Sequence, residues 1–268
     1  VLRVSSSAFD LQEAFMSIKT GLVNGVATIE IARPEKKNAL TMAMYDEMAA
    51  AIKAAGDNPA VRALLITGQP GIFTSGNDLE DFMQRPPQGM DSPVFRFIKA
   101  MIDFDKPVVV AVTGAAIGIG TTMLLHSDLV YVADNARLAM PFASLGLVPE
   151  FASSLLVPAL MGQRKAAEKL MLGDPFTAEE AVECGVANAV LPADEVLPHA
   201  RRMAERFNNL PPSAVRQTKR LMKRWTTDAV LQAVALEGEH FGQALRSPEA
   251  REAFQAFFEK RKPDFSKF

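Results

Sequence analysis

Apolar and polar residues alternate over 26–31 (VATIEI), the period of a half-buried strand, and Arg33-Pro34 ends the run. Apolar residues then recur at helical spacing, Met44, Met48, Ile52 and Ala55, behind Thr41; this predicts a helix with a hydroxyl at its start. Residues 61–67 (VRALLIT) read as a buried strand closed by Gly68, Pro70 and Gly71. The polar stretch 81–92, with Pro86, Pro87 and Gly89, is expected to be a flexible loop or lid, and 92–104 a helix. Residues 107–112 (PVVVAV) are almost purely β-branched, as in a strand covered on both faces. Residues 114–120 are expected to turn into a helical run ending at Ser127, followed by a strand over 129–133.

From Ala152 onward helices dominate, at about 152–160, 163–172, 177–184, 194–208, 211–224, 227–246 and 248–260. Thr177 with Glu180 forms a capping-box pattern, and Gly185 is a helix stop. Strand–helix alternation followed by a helical tail predicts an α/β fold of stacked βα units plus helices. The tail is apolar on several faces, which makes an oligomer the expectation. The domain reading is an extension over 1–15, a core over 16–200 and a helical oligomerisation region over 201–268.

Composition narrows the function. The chain has 268 residues, 49% hydrophobic and 22% charged, so a sizeable core is available. A net charge of -2 excludes a global attraction to nucleic acid or acidic lipid. One cysteine, Cys184, excludes an internal disulfide framework. His126, His199 and His240 share no ligand spacing, so no metal is expected. No apolar run is long enough to span a bilayer. Residues 1–15 lack the apolar stretch of a signal peptide and read as an extension or remnant before a natural start at Met16-Ser17-Ile18.

Two Gly-containing turns follow strands: Gly71 to Leu79 (GIFTSGNDL) and Thr113 to Gly120 (TGAAIGIG). Neither is a phosphate loop, because no Gly-Lys-Ser/Thr follows and neither contains G-x-G-x-x-G. Each alone reads as an ordinary βα turn. Paired, their outward N–H groups can supply the two donors that an oxyanion needs.

The order R-P-x-x-x-N-A-L (Arg33 to Leu40), F-T-S-G-N-D-L (Phe73 to Leu79), P-V-V-V-A-V-T-G-A-A-I-G-I-G (Pro107 to Gly120) and F-F-E-K-R-K-P-D-F (Phe257 to Phe265) resembles the crotonase superfamily, also called the enoyl-CoA hydratase/isomerase family. The resemblance covers about residues 17 to 265. It implies crotonase-like stacked ββα units with a C-terminal helical region, assembly as a homotrimer or a dimer of trimers, and acyl-CoA substrates. Coenzyme A is then part of the substrate, and no separate cofactor is expected. The resemblance places the two oxyanion donors on the main-chain N–H groups of Asn77 and Ile119, with a helix starting near Gly118 aiming its positive end at the thioester oxygen.

Hydratases of this family use two glutamates to activate water. Here Thr122 stands at one of those places, and Met140-Pro141-Phe142 replaces the Gln-Pro-Glu-like segment. Thr and Phe are no bases at neutral pH. Glu150, in Leu147-Val148-Pro149-Glu150-Phe151, instead resembles the loop glutamate of the peroxisomal-type Δ3,Δ2-enoyl-CoA isomerases. Its other reading is a residue near a helix start, stabilised by the dipole. The resemblance thus implies an isomerase, with Glu150, Asn77 and Ile119 as catalytic groups and apolar neighbours raising the pKa of Glu150. A hydratase, hydrolase or decarboxylase, or a non-catalytic acyl-CoA-binding protein, stays open.

Lys36, Lys37, Lys260 and Arg261 are candidate contacts to coenzyme A phosphates, as in the family, although solvated charges are the default. Asp78 reads as a capping residue, Asp128 and Asn38 as structural, His126 as a core histidine and Cys184 as helix-end packing. Trp225 and the Met-rich stretch 218–225 read as packing surface. Phe82, Met83, Phe97 and Met101 are candidates either for an acyl pocket or for the core. The terminal Ser266-Lys267-Phe268 is one residue from a Ser-Lys-Leu peroxisomal address. A cytoplasmic site is the first expectation and a peroxisomal one the second.

Overall fold

The computed structural model describes residues 17–268 except Gln88, so the reading of residues 1–15 falls outside the described residues. The chain opens with a hairpin, β1 (Ile18–Val23) and β2 (Val26–Ile31). Helix α1 (Met42–Asp57) follows, with Thr41 capping it by accepting from the Met44 N–H at 3.3 Å. Then come β3 (Ala63–Thr67), β4 (Ile72–Thr74), α2 (Leu79–Gln84) and α3 (Pro93–Asp103). Next are β5 (Val108–Val112), β6 (Ala115–Ile117), α4 (Ile119–Thr122), β7 (Leu129–Ala133) and β8 (Arg137–Ala139). The rest comprises α5 (Ser153–Met161), α6 (Gln163–Ala167), β9 (Phe176–Thr177), α7 (Ala178–Glu183), β10 (Ala189–Leu191), α8 (Val196–Glu205), α9 (Pro212–Lys223), α10 (Thr227–Ala244) and α11 (Pro248–Phe258).

The strands form two sheets. The larger runs β1-β2-β3-β5-β7-β10 and is parallel from β2 onward. The smaller runs β4-β6-β8-β9, with β4, β6 and β8 parallel. Each of β3, β5 and β7 is thus followed at once by a short strand of the second sheet. That is the stacked ββα arrangement. The inner strands β3, β5 and β7 of the large sheet are buried on both faces, which explains their nearly unbroken apolar sequences. Leu64, Ile66, Val108, Val110 and Val112 face the main core with Met44, Met48 and Ile52 of α1 and Phe97 and Met101 of α3. Ala63, Leu65, Val109 and Ala111 face Val196, Ala200 and Ala204, one stripe of α8.

Several expectations change. The segment 81–92 is not all loop, because Asp78 accepts from the Asp81 N–H at 3.1 Å and starts α2 there. The run 114–120 begins as strand β6, held by its two neighbours, and the helix after it has only four residues before a 3-10 turn, Met123–His126. β10 extends the large sheet from within the half read as helical. The boundary at 200 falls inside α8. Val230, Val234 and Phe241 of α10 and Ala250 and Phe254 of α11 lie in the main core, so the tail packs on its own chain. Trp225, read as packing surface, is 85% exposed in the single chain.

Asn38 ties the loop before α1 to β4. It is fully buried with φ +55°, accepts from the Arg33 N–H at 2.7 Å, and donates to the Ile72 and Phe73 carbonyls at 3.1 Å each. Asn38→Ala strands three backbone groups in the interior, each costing about 1–3 kcal/mol. The expected loss is about 3 kcal/mol or more, read as a lower urea midpoint with an unchanged slope. A loss below about 1 kcal/mol would show that water or a backbone shift replaces the side chain.

Candidate active site

The pairing of β4, β6 and β8 sets three loops side by side. Thr74 pairs with Ala116, and Ile117 pairs with Ala139. The segments leaving these strands carry Asn77, Ile119 and the stretch from Met140 to Glu150. The first two turns touch: a Cβ added to Gly76 would lie 2.8 Å from the Ile117 carbonyl and 4.0 Å from the Gly118 nitrogen. Gly76 has φ +88° and Gly118 has φ +56° with ψ -118°, conformations that side-chain-bearing residues rarely adopt.

Two main-chain donors remain over in these turns. Leu40 and Asp78 take up the ladder around Asn77, since the Leu40 N–H donates to Gly76 and the Asp78 N–H donates to Leu40. The Asn77 N–H faces the other way. Ile119 is the first helical residue, where no intrahelical acceptor exists. Among the described residues neither N–H has an acceptor. Asn77 and Gly118 both line a cleft of about 630 Å³, together with Phe82, Phe142, Phe241 and Phe258. The four-residue α4 makes these two N–H groups, rather than a long helix dipole, the feature that an anionic oxygen would meet.

Glu150 sits behind this cleft, 8% exposed. It lines a cavity of about 30 Å³ with Asn77, Phe82, Phe95, Phe241 and Glu237; Asn77, Phe82 and Phe241 also line the cleft. The Thr122 hydroxyl donates to the Glu150 Oε1 at 2.5 Å. Burial pushes the carboxyl up to about 8, the Thr122 hydrogen bond opposes this, and the charge of Glu237 adds to it. The next residues, Phe151 and Ala152, have φ +58° and +59°, so two consecutive non-glycine residues are left-handed. The Ser153 hydroxyl donates to the Glu150 carbonyl at 2.6 Å. His126, held neutral because burial pushes it down to about 4, stacks on Phe151 with ring centroids 4.0 Å apart, and its Nε2 lies 2.7 Å from the Phe151 carbonyl.

The other expected residues divide. Lys36 and Lys37 line the cleft and form no ion pair among the described residues. Lys260 and Arg261 are not among its lining residues, and Arg261 is committed to Glu252 at 2.6 Å and Glu259 at 2.5 Å. Asp78 caps α2 and pairs with Arg33 at 2.7 Å. Asp128 accepts from the Val108 N–H at 2.8 Å and from Lys219 at 2.7 Å, both structural contacts. Phe82 lines the cleft and the cavity, Phe97 and Met101 are core, and Met83 is exposed. Sequence reasoning missed Glu237. Its signal was present: Val230, Val234, Glu237 and Phe241 share one stripe of α10, and a carboxylate on an apolar stripe marks a buried charge.

The arrangement can do one kind of chemistry well. Two fixed N–H donors can hold a developing oxyanion, and an adjacent buried carboxyl titrating near neutrality can move a proton. The sequence profile described as enoyl-CoA hydratase/isomerase matches residues 21–267. Human enoyl-CoA delta isomerase 2 is 36% identical over 208 residues, covering 75% of this chain and 52% of that protein, so the chain spans about half the length of that relative. Crotonyl-CoA hydratase of Syntrophomonas wolfei is 33% identical over 248 residues, 90% of this chain and 94% of the other. The solved structure of Pseudomonas aeruginosa OdaA superimposes with a TM-score of 0.89 at 52% identity, covering 90% of this chain and 98% of that one. Two sheets of stacked ββα units, spare donors on adjacent turns and the matched span have one common reading: the chain belongs to the enoyl-CoA hydratase/isomerase family, with the crotonase fold.

Proposed function

We propose that the chain is a Δ3,Δ2-enoyl-CoA isomerase with one catalytic carboxylate, Glu150. The observation that carries the reading is that Glu150 is buried in a small cavity that shares Asn77, Phe82 and Phe241 with the cleft, with its pKa raised to about 8. Thr122 and Phe142 stand where hydratases resembling this chain carry water-activating carboxylates, and Thr122 serves here to hold Glu150.

In this mechanism the thioester oxygen of a 3-enoyl substrate accepts hydrogen bonds from the Asn77 and Ile119 N–H groups. Glu150, ionised, removes a proton from C2. The electron pair spreads into a dienolate whose negative oxygen meets the two donors. Neutral Glu150 then returns the proton at C4, giving the conjugated 2-enoyl thioester and restoring the carboxylate. A raised pKa suits both steps, because acid and base forms are close in energy near the working pH. The inner cavity of about 30 Å³ admits about one water, so the reacting carbons enter as lining side chains such as Phe82 and Phe95 shift. Lys36 and Lys37, exposed residues that line the cleft, would meet the coenzyme A phosphates. Assembly as a homotrimer or a dimer of trimers belongs to the same proposal; the exposed Leu221, Met222 and Trp225 are the apolar surface it would cover.

Four outcomes test the proposal. Purified protein given a 3-enoyl-CoA gains the absorbance of the conjugated thioester; loss of that absorbance from a 2-enoyl-CoA, without isomerisation, selects a hydratase instead. Glu150→Gln keeps the size and the Thr122 contact but removes the base. Isomerisation then falls by on the order of 10⁴, the upper end for a lost general base, since no second base shares the work; turnover near wild type rejects the single-glutamate mechanism. The same variant is more stable than wild type at neutral pH. Glu150 has a folded pKa near 8 against a model value of 4.5, so its stabilising contribution is complete below about 4.5 and is lost as pH rises to about 8. The stability gap between Glu150→Gln and wild type therefore opens across that window, reaching on the order of 3 kcal/mol at pH 7. A pH-independent gap would place the carboxyl in a more solvated setting. Light scattering should give three or six times the chain mass, and a monomer at micromolar concentration rejects the assembly.

A further inference from the structure

Glu237 is a second buried carboxylate in the catalytic cavity, 6% exposed, contributed by α10 from far along the chain. Its Oε2 accepts from the Ala152 N–H at 2.6 Å and its Oε1 accepts from the Ser154 N–H at 2.8 Å. Both oxygens are thus committed to the backbone that directly follows Glu150. That backbone is the left-handed pair Phe151 and Ala152, a conformation costing about 1–2 kcal/mol per non-glycine residue. The turn is held at two kinds of group, by Glu237 at the Ala152 and Ser154 N–H groups and by His126 at the Phe151 carbonyl.

We propose that Glu237 is a positioning residue for the proton transfer: its carboxylate holds the turn that aims Glu150 into the cavity and, when ionised, sets a negative charge beside the base. The proposal rests on the reading of Glu150 as that base. Burial raises the Glu237 pKa, and the hydrogen bonds from Ser154 and Ala152 oppose this; each of its oxygens is engaged by a main-chain donor, which suits it to holding the turn. The remaining titratable groups around the pair are Tyr45, buried and hydrogen-bonded through its hydroxyl to the Asn77 side chain, and neutral His126. Lys223 reaches the His126 carbonyl at 3.1 Å. On α10 itself Glu239 and His240 point to solvent, and on α3 Arg96 and Lys99 pair with Asp46 and Asp103. The nearby charge that acts on Glu150 is that of Glu237, and it raises the pKa.

Two substitutions separate the roles. Glu237→Gln removes the charge and offers one acceptor to two N–H donors. Glu237→Asp keeps the charge but falls one methylene short. The measurement is kcat and the pH profile of kcat/KM for isomerisation, whose acid limb reports the ionisation of the base. The limb midpoint does not depend on how much of the protein is folded. In Glu237→Gln the acid limb moves to lower pH, since loss of a neighbouring negative charge eases ionisation of Glu150. In both variants kcat falls by on the order of 10²-fold, the cost of a displacement of about 1 Å at a reacting group. Adding Ala152→Gly recovers part of that kcat, because glycine adopts the left-handed conformation without restraint. A wild-type acid limb in Glu237→Gln, or losses in both variants that follow thermal stability alone with no recovery from Ala152→Gly, overturns the proposal. Should Glu237→Gln not fold, Glu237→Asp decides: unchanged kcat overturns it, and reduced kcat restored by Ala152→Gly upholds it. A fully active Glu150→Gln would instead strike the underlying assignment of the base.

Discussion

The parallel pairing of three short strands, β4, β6 and β8, governs the site. Each follows an inner strand of the large sheet within a few residues, so its position is inherited from strands buried on both faces. Once Thr74 lies beside Ala116 and Ile117 beside Ala139, the turns beyond them have no choice but to touch. The contact is close enough that glycine is required at 76, and the turn geometry requires it at 118. Among the described residues, two N–H groups are left without acceptors because ladder pairing on one side and helix initiation on the other exhaust the local partners. An orphan donor in the interior is costly; at the wall of a cleft it is a fixed dipole that needs no reorganisation when an anion forms.

The second constraint is electrostatic. Glu150 and Glu237 lie around one small cavity, and burial of two carboxylates in a low-dielectric setting cannot be neutral in energy. The structure treats them differently. Glu237 receives two main-chain hydrogen bonds at the start of α5, the environment that best supports a charge. Glu150 receives one hydroxyl, from Thr122. Burial raises the pKa of both, but two main-chain hydrogen bonds oppose the rise at Glu237 and one hydroxyl opposes it at Glu150, which reaches about 8. The proposed proton shuttle uses the Glu150 carboxyl, and the charge of Glu237 adds to its rise.

What the sequence made legible follows contact distance along the chain. β2, β5 and β7, and the helices around 42–57 and 93–103, announce themselves because their patterns are local and long. β6 does not. Its three residues sit among glycines and are strands only because β4 and β8 flank them. β10 is equally short and is fixed by pairing with β7. At the site, Asn77, Ile119 and Glu150 were within reach, because ordered motifs along the chain resemble one family. Lys260 and Arg261 came from the same resemblance, yet Arg261 is neutralised by Glu252 and Glu259, two carboxylates of its own helical segment that a motif comparison does not weigh. Glu237 was hidden differently. Its partners lie 83 and 85 residues away, and no spacing rule links them. Only the anomaly of a charge on the buried stripe of α10 hinted at it.

These two kinds of information also divide the chemistry. The donors at 77 and 119 are main-chain groups, fixed by strand pairing and indifferent to most side chains at those positions. In the proposed mechanism such a frame stabilises a thioester enolate whatever proton transfer follows. Which transfer follows depends, in that mechanism, on side chains around the cleft and its small neighbouring cavity: Thr122 and Phe142 offer no base, Glu150 would be the base, and Glu237 is engaged by main-chain donors. This separation explains how hydratases and isomerases both appear among relatives of similar identity to this chain. Overall identity reports the shared frame. In the proposed reading the reaction is decided by a few carboxylates, and the contacts that place them come from parts of the chain far apart in sequence. For this chain the decisive support comes from α10, a helix outside the ββα units altogether, so the tail that completes the core also completes the proposed site.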